Sequence, residues 1–296
     1  TSCSEHNSVL RPLYKLEAEG VALSFLPLQE DSFHLDLDSL EQLLRPNTRA
    51  VVISQASNVT GEVVDLSVCS DFCRAHDLLL IVDAAQSAGV FPIDIEEDAI
   101  DALCFTGHKS LYGPGGTGGI VLGRRMAEVP LRSVFSGGSG TKSFDKVHPQ
   151  EMPAFFEAGT ANVLGLIGLH AGLRYLNQIG MSSVETKLKK LMRRFYEGVN
   201  TLPGVKIYGD FSDPQARRTP IVALNIADIP AAVVSDVLAS EYDIATRPGA
   251  HCSPLMHLAL GTEKQGIVRF SFSTMNTEAD IDTAINALAE ITQELS

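Results

Sequence analysis

The chain has 296 residues and a net charge of −13 at neutral pH, which makes nucleic acid and anionic membranes poor partners. That length can bury a large core and divide into two domains, and no apolar run approaches the ~20 residues that cross a bilayer. No signal-peptide pattern opens the chain, and its five cysteines show no paired framework, so they read as reduced thiols of a cytoplasmic protein.

In chain order, TSCSEHN reads as the end of a strand, with His6 by default a surface or structural histidine. Strand and helix then alternate through 21–26, 37–44, 50–54 and 66–76. That alternation predicts an α/β fold whose sheet is mostly parallel, with helices on both faces. Asn58 lies just beyond a strand end, where it fits either a turn or a side chain facing a site. On the helix 66–76, Cys69, Cys73 and His76 fall at i, i+4 and i+7. Leu66 and Phe72 flank the same stripe, so the cysteines are expected to pack as small hydrophobes and no metal is expected.

Two strand ends follow. The aliphatic run 78–82 suits a strand buried on both faces and stops at Asp83, with Gln86 in the next turn. The run ALCF at 102–105 ends in Thr106-Gly107-His108-Lys109, followed by a loop with five glycines and a proline. Ligands of open α/β sheets bind beyond the carboxyl ends of the strands, where Asp83 and Lys109 would both lie. A carboxylate there can hold a pyridine nitrogen protonated. A desolvated lysine has a lowered pKa and can hold an aldehyde as a Schiff base. Pyridoxal phosphate demands those two protein groups.

Beyond a strand at 120–122, residues 137–160 form a long Gly-rich stretch of little periodicity, the kind that is functional or mobile in a compact domain. Leu166, Leu169, Leu173 and Leu176 mark one face of a helix, and a second helix over 183–200 carries KLKKLMRR as a solvated face. Strands at 205–208, 221–226 and 267–271, a helix at 231–241 and a last helix from Thr277, with Asp280 completing a capping box, make a smaller α+β unit. The expected division is 1–160 for the large cofactor-binding domain and 161–296 for the connecting helices and small domain. Cys252 lies in RPGAHCSP, expected as a mobile surface loop, where Arg247 and His251 would lower its pKa if close. Arg269, in VRFSF, suits a bidentate grip on a carboxylate or a structural ion pair.

The segments EHNSV (5–9), SNVTGEV (57–63), VDAAQSAG, TGHKSLYGPGG, FEAGT (156–160), RPGAHC and VRFSFSTMNTEADID stand in one order along nearly the whole chain. Together they resemble the class V, cysteine-desulfurase-like family of pyridoxal phosphate enzymes. The resemblance implies fold type I and gives each residue a role. Lys109 would carry the cofactor and move a proton at the substrate α carbon, and Asp83 would keep the ring nitrogen charged. His6 would stack on the ring, Gln86 would meet its hydroxyl, and Thr106 and His108 would help hold ring and phosphate. Asn58 and Arg269 would orient the substrate carboxylate. Cys252 would take sulfur from L-cysteine or selenium from selenocysteine, release alanine, and pass the sulfur to an acceptor protein. Thr160 would bind the phosphate of a neighbouring subunit in a homodimer with shared active sites. The alternatives are an aminotransferase, an epimerase or a selenocysteine/cystine lyase of the same group, and a catalytically dead scaffold. In that family a further N-terminal segment, bearing a Gly/Thr turn for the phosphate, precedes the first residue of this sequence, so the chain is expected to be a fragment or one part of a cleaved protein.

Overall fold

The computed structural model describes residues 1–30 and 32–294. Residues 1–3 run beside Leu26, but only as one parallel bridge between Ser2 and Leu26. Residues 21–26, expected as a strand, are therefore extended without forming one. Their ladder ends with Leu26 N–H on Thr1 O and Cys3 N–H on Leu26 O, both 2.9 Å, because the chain then turns into α1 (Asn7–Ala18). That helix was not expected. Pro12 reads as a breaker, yet it lies inside the helix, which buries Leu10. The stretch expected as a helix over 37–44 is a 3₁₀ turn running into the one-turn α2 (Leu40–Leu43).

The first sheet is built from β1 (Ala50–Ser54), β2 (Leu79–Asp83), β3 (Ala102–Thr106) and β4 (Gly118–Leu122), adjacent in that order. The first three are parallel and β4 closes the edge antiparallel to β3. Ser54 pairs with Asp83 and Asp83 with Cys104, so the carboxyl ends of β1 and β2 stand level and β3 runs two residues further, to Thr106. One face of the sheet, Val51, Ile53, Leu80, Val82 and Leu103, packs under α3 (Leu66–Ala75). Cys69 and Cys73 belong to that core, and burial pushes their thiols up to about 12 and about 11. His76 instead bonds Glu41 at 3.0 Å and leans on the Phe72 ring. By the two-residue period of a strand, Val52, Ile81 and Cys104 share the other face, half-buried, with Ile120 exposed beside them.

α4 (Val163–Ile179) and α5 (Met181–Val199) meet at Gly180. The first half of α5, through Val184 and Leu188, packs with Leu169 and Leu176 of α4 against Val90, Phe91 and Leu111. Its second half, through Leu191, Phe195 and Val199, joins a separate core. That core lies on a second, antiparallel sheet of β5 (Val205–Tyr208), β6 (Ile221–Ile226) and β7 (Val268–Ser271). α6 (Ala231–Tyr242), the short α7 (Pro254–Leu260) and α8 (Glu278–Glu294) complete this lobe. The expected capping box is present: Asp280 N–H bonds Thr277 Oγ1 and Thr277 N–H bonds Asp280 Oδ2.

The two sheets are tied by a buried ion pair. The Arg218 guanidinium bonds the Glu62 carboxylate and the Thr60 carbonyl, and lies 3.9 Å over the Phe211 ring. Glu62 belongs to the loop after β1, and a backbone bridge joins it to Arg218.

Candidate active site

The carboxyl ends of β1, β2 and β3 open into a cavity of about 310 Å³. Asp83, the last residue of β2, faces it, with Oδ1 accepting the Ala85 N–H at 2.8 Å. That bond starts the tight 84–89 turn, which also brings Gln86 to the cavity. Gly89 ends the turn at φ +85°, and a Cβ there would stand 2.2 Å from Ser110 O. Only glycine lets the Asp83 turn sit this close to the Lys109 turn.

Lys109 follows β3 and lines the same cavity. Burial lowers its pKa, Asp83 opposes that shift, and Arg269 and Arg247 add to it. The amine is thus moved toward the neutral form in which it can attack a carbonyl. Thr106 and His108 also line the cavity, with Thr106 Oγ1 2.8 Å from His108 Nδ1. His6 arrives from the opposite side as the N-cap of α1. Its Nδ1 accepts the Ser8 N–H at 3.0 Å, so the neutral ring carries its proton on Nε2. Burial, and then Lys109, lower its pKa.

The second lobe supplies the facing wall. Arg247 and Arg269 form an antiparallel bridge and both reach the cavity. Arg269 donates from Nη1 to Asn58 O at 2.7 Å, while its Nε is buried with no partner. Burial, with Arg247 adding, brings its pKa down to about 10. An orphaned guanidinium N–H in a cavity is a ready-made donor for an anion.

Asn58 lies against this wall, and its amide is engaged at both ends. Nδ2 donates to His251 O at 2.7 Å and Oδ1 accepts from Ser253 Oγ at 2.5 Å. The second N–H of the amide takes no part in these two bonds, and Asn58 lines the cavity. Cys252, between those two residues, is exposed and does not line the cavity. Its carbonyl accepts the Asn7 N–H at 2.7 Å, so the turn expected as a mobile loop is held to both α1 and Asn58. His251 is buried and hydrogen-bonds Arg247 O through Nε2. Burial takes its pKa down to about 4, with the Arg247 carbonyl bond opposing. Thr160 is exposed on the 129–162 segment and does not line the cavity either.

Compared with known proteins, residues 1–283 match the model of the family described as Aminotransferase class-V. The chain belongs to that family. It is 32% identical over 290 residues to cysteine desulfurase CsdA of Escherichia coli, covering 97% of this chain and 69% of that protein. The crystal structure of that enzyme, in an S-sulfonic acid form, superposes with a TM-score of 0.86 at 30% identity, over 99% of this chain and 71% of the other. An apo cysteine desulfurase structure from Thermococcus onnurineus matches at 0.87 and 29% identity, over 99% and 72%. The expected α/β fold with a mostly parallel sheet is therefore the family's fold, and the resemblance seen in the separate motifs extends to the whole architecture.

Eight of the ten candidate residues, His6, Asn58, Asp83, Gln86, Thr106, His108, Lys109 and Arg269, line one cavity. Sequence reasoning missed Glu5. Fully buried, it accepts the Ser2 hydroxyl at 2.6 Å, the Ser54 hydroxyl at 2.6 Å and the Ser54 N–H at 2.9 Å. Burial raises its pKa against those bonds. This carboxyl ties residues 2–5 to the end of β1 and so sets His6 over the cavity. A glutamate next to a site histidine carried no signal that it was buried.

Proposed function

We propose that the chain is a pyridoxal phosphate-dependent cysteine desulfurase. The observation that carries the reading is the convergence of Lys109, Asp83 and Arg269 in one cavity, beside a turn that exposes Cys252. The donor set suits the cofactor. Lys109 Nζ, shifted toward neutrality, would take the aldehyde. Asp83 would meet the ring nitrogen, His6 the ring face, Gln86 the ring hydroxyl, and Thr106 and His108 the phosphate. When bound, the cofactor supplies an electron sink at the substrate α carbon.

The chain's own groups do the rest. Arg269 and the free N–H of Asn58 hold the carboxylate of L-cysteine or L-selenocysteine. Lys109 would move a proton at the α carbon. The Cys252 thiolate attacks the substrate sulfur: the new S–S bond forms as the carbon–sulfur bond breaks. The electron pair stays with carbon, which takes a proton and leaves as alanine. The persulfide on Cys252 then passes its terminal sulfur to an acceptor protein. Domains at 1–160 and 161–296, a cytoplasmic location and a homodimer belong to the same reading. The homodimer is supported by the exposed Val134, Phe135, Phe144, Val163, Leu164 and Ile167, large apolar side chains that a subunit contact would cover. Thr160 would then serve the neighbouring subunit's phosphate.

The test is an assay of sulfide and alanine from L-cysteine, with borohydride trapping of the cofactor. Equal sulfide and alanine, with the pyridoxyl group on Lys109, are expected. An adduct on another lysine, or alanine without sulfur on Cys252, contradicts the reading.

A further inference from the structure

The turn at 250–253 has an unusual backbone. His251 and Cys252 stand consecutively at φ +52° and +58°, a left-handed region that is unfavourable for a residue with a Cβ. Such conformations persist where the surroundings over-determine them. Part of what does so here is ordinary: Ser253 N–H closes the turn on Ala250 O at 3.0 Å, and Asn7 N–H holds the Cys252 carbonyl.

The rest runs through Ser253. This residue is the N-cap of α7, where a serine hydroxyl commonly accepts a helix N–H, yet it makes no cap bond. The hydroxyl instead donates to Asn58 Oδ1, and Asn58 returns a bond from Nδ2 to His251 O. Asn58, His251, Cys252 and Ser253 thus form a closed ring that includes the Cys252 backbone. Ser253 is fully buried and Asn58 nearly so, so no solvent competes for the Oδ1 acceptor. The two bonds fix the orientation of the same amide, and Asn58 lines the cavity.

We propose that Ser253 is a positioning residue: acting through Asn58, it sets where the Cys252 thiol stands relative to Lys109 and which edge of the Asn58 amide faces the substrate. The inference rests on the desulfurase reading for its consequence in turnover, but the clamp itself can be measured without turnover. The experiment compares the parent, Ser253→Ala, Asn58→Ala and the double variant, all loaded with cofactor. Two rates are followed: alkylation of Cys252 by iodoacetamide, and sulfur transfer from L-cysteine to Cys252 in a single turnover. Ser253→Ala should keep the cofactor's visible absorbance, because Lys109 and Asp83 are untouched. It should change the alkylation rate several-fold and slow sulfur transfer about 10- to 100-fold, as displaced reacting groups do. In the Asn58→Ala background the same change should add almost nothing. Ser253→Gly also lacks the hydroxyl and suits a helix N-cap; it should repeat the result if the alanine variant folds poorly. Unchanged alkylation and transfer in both variants, or an undiminished effect without Asn58, overturns the proposal. A parent that transfers no sulfur at all overturns the desulfurase reading instead, and the alkylation rates still decide the clamp.

Discussion

The Cys252 turn and the 129–162 segment have similar sequence character, with glycine, proline and small polar residues, but they settle very differently. The turn sends its polar groups to partners far away in sequence: Asn58 on the loop after β1, Asn7 at the start of α1. The longer segment bonds mainly within itself, Asp145 N–H to Lys142 O, Ser139 Oγ to Thr141 O, and Lys142 to Glu151. It leaves Phe135 and Phe144 in solvent. Composition marks both as loops. What separates them is whether the rest of the fold supplies acceptors and donors for the backbone.

The comparison can be broken first at the thiol. Cys252→Ser keeps every backbone bond of the turn, so the cofactor's absorbance should persist while sulfur transfer falls by several orders of magnitude. Transfer at the parental rate would make the turn a structural feature only.

The turn also depends on the two lobes staying together. Arg218→Ala removes the guanidinium from the buried Glu62 carboxylate, leaving it the Asp210 N–H and His34, and should cost about 3 kcal/mol in urea unfolding. A loss below 1 kcal/mol would mean that the pair is not what joins the sheets.

A third effect is pH-dependent. His251 is held neutral by burial, with Arg269, His257 and Arg247 adding, and its pKa is taken from 6.5 to about 4. Between those values the unfolded chain binds the proton that the folded chain refuses. Stability should therefore be full above pH 6.5, fall as pH drops toward 4, and lose at most about 3 kcal/mol from this group. Tm measured across that window, in the parent and in His251→Gln, checks it; an identical slope in both would remove His251 from the account.

The smallest effect belongs to the other loop. Phe144→Ser should change monomer stability by less than about 0.5 kcal/mol yet weaken self-association in sedimentation. A large stability loss would show that the segment is packed in solution.

Much of this was legible in the sequence wherever a pattern is local. The aliphatic run before Asp83 and the apolar run before Lys109 fixed two strands and the site at their ends. Thr277 and Asp280 announced a capping box that the structure forms. Illegible were features whose partners lie far along the chain. Nothing local to RPGAHCSP says that Asn58 holds it, nor does EHN say that Glu5 is buried under Ser54. α1 was hidden by Pro12, and residues 21–26 have strand-like composition but only Thr1–Cys3 alongside them.

The most direct test of the central claim is mass spectrometry of the Cys252 peptide after brief incubation of the cofactor-loaded protein with L-cysteine. The account predicts a peptide heavier by one sulfur atom, with alanine released in equal amount and no addition to the peptides of the other four cysteines. Alanine formed while the Cys252 peptide keeps its parental mass, with or without sulfur on another cysteine, would contradict it.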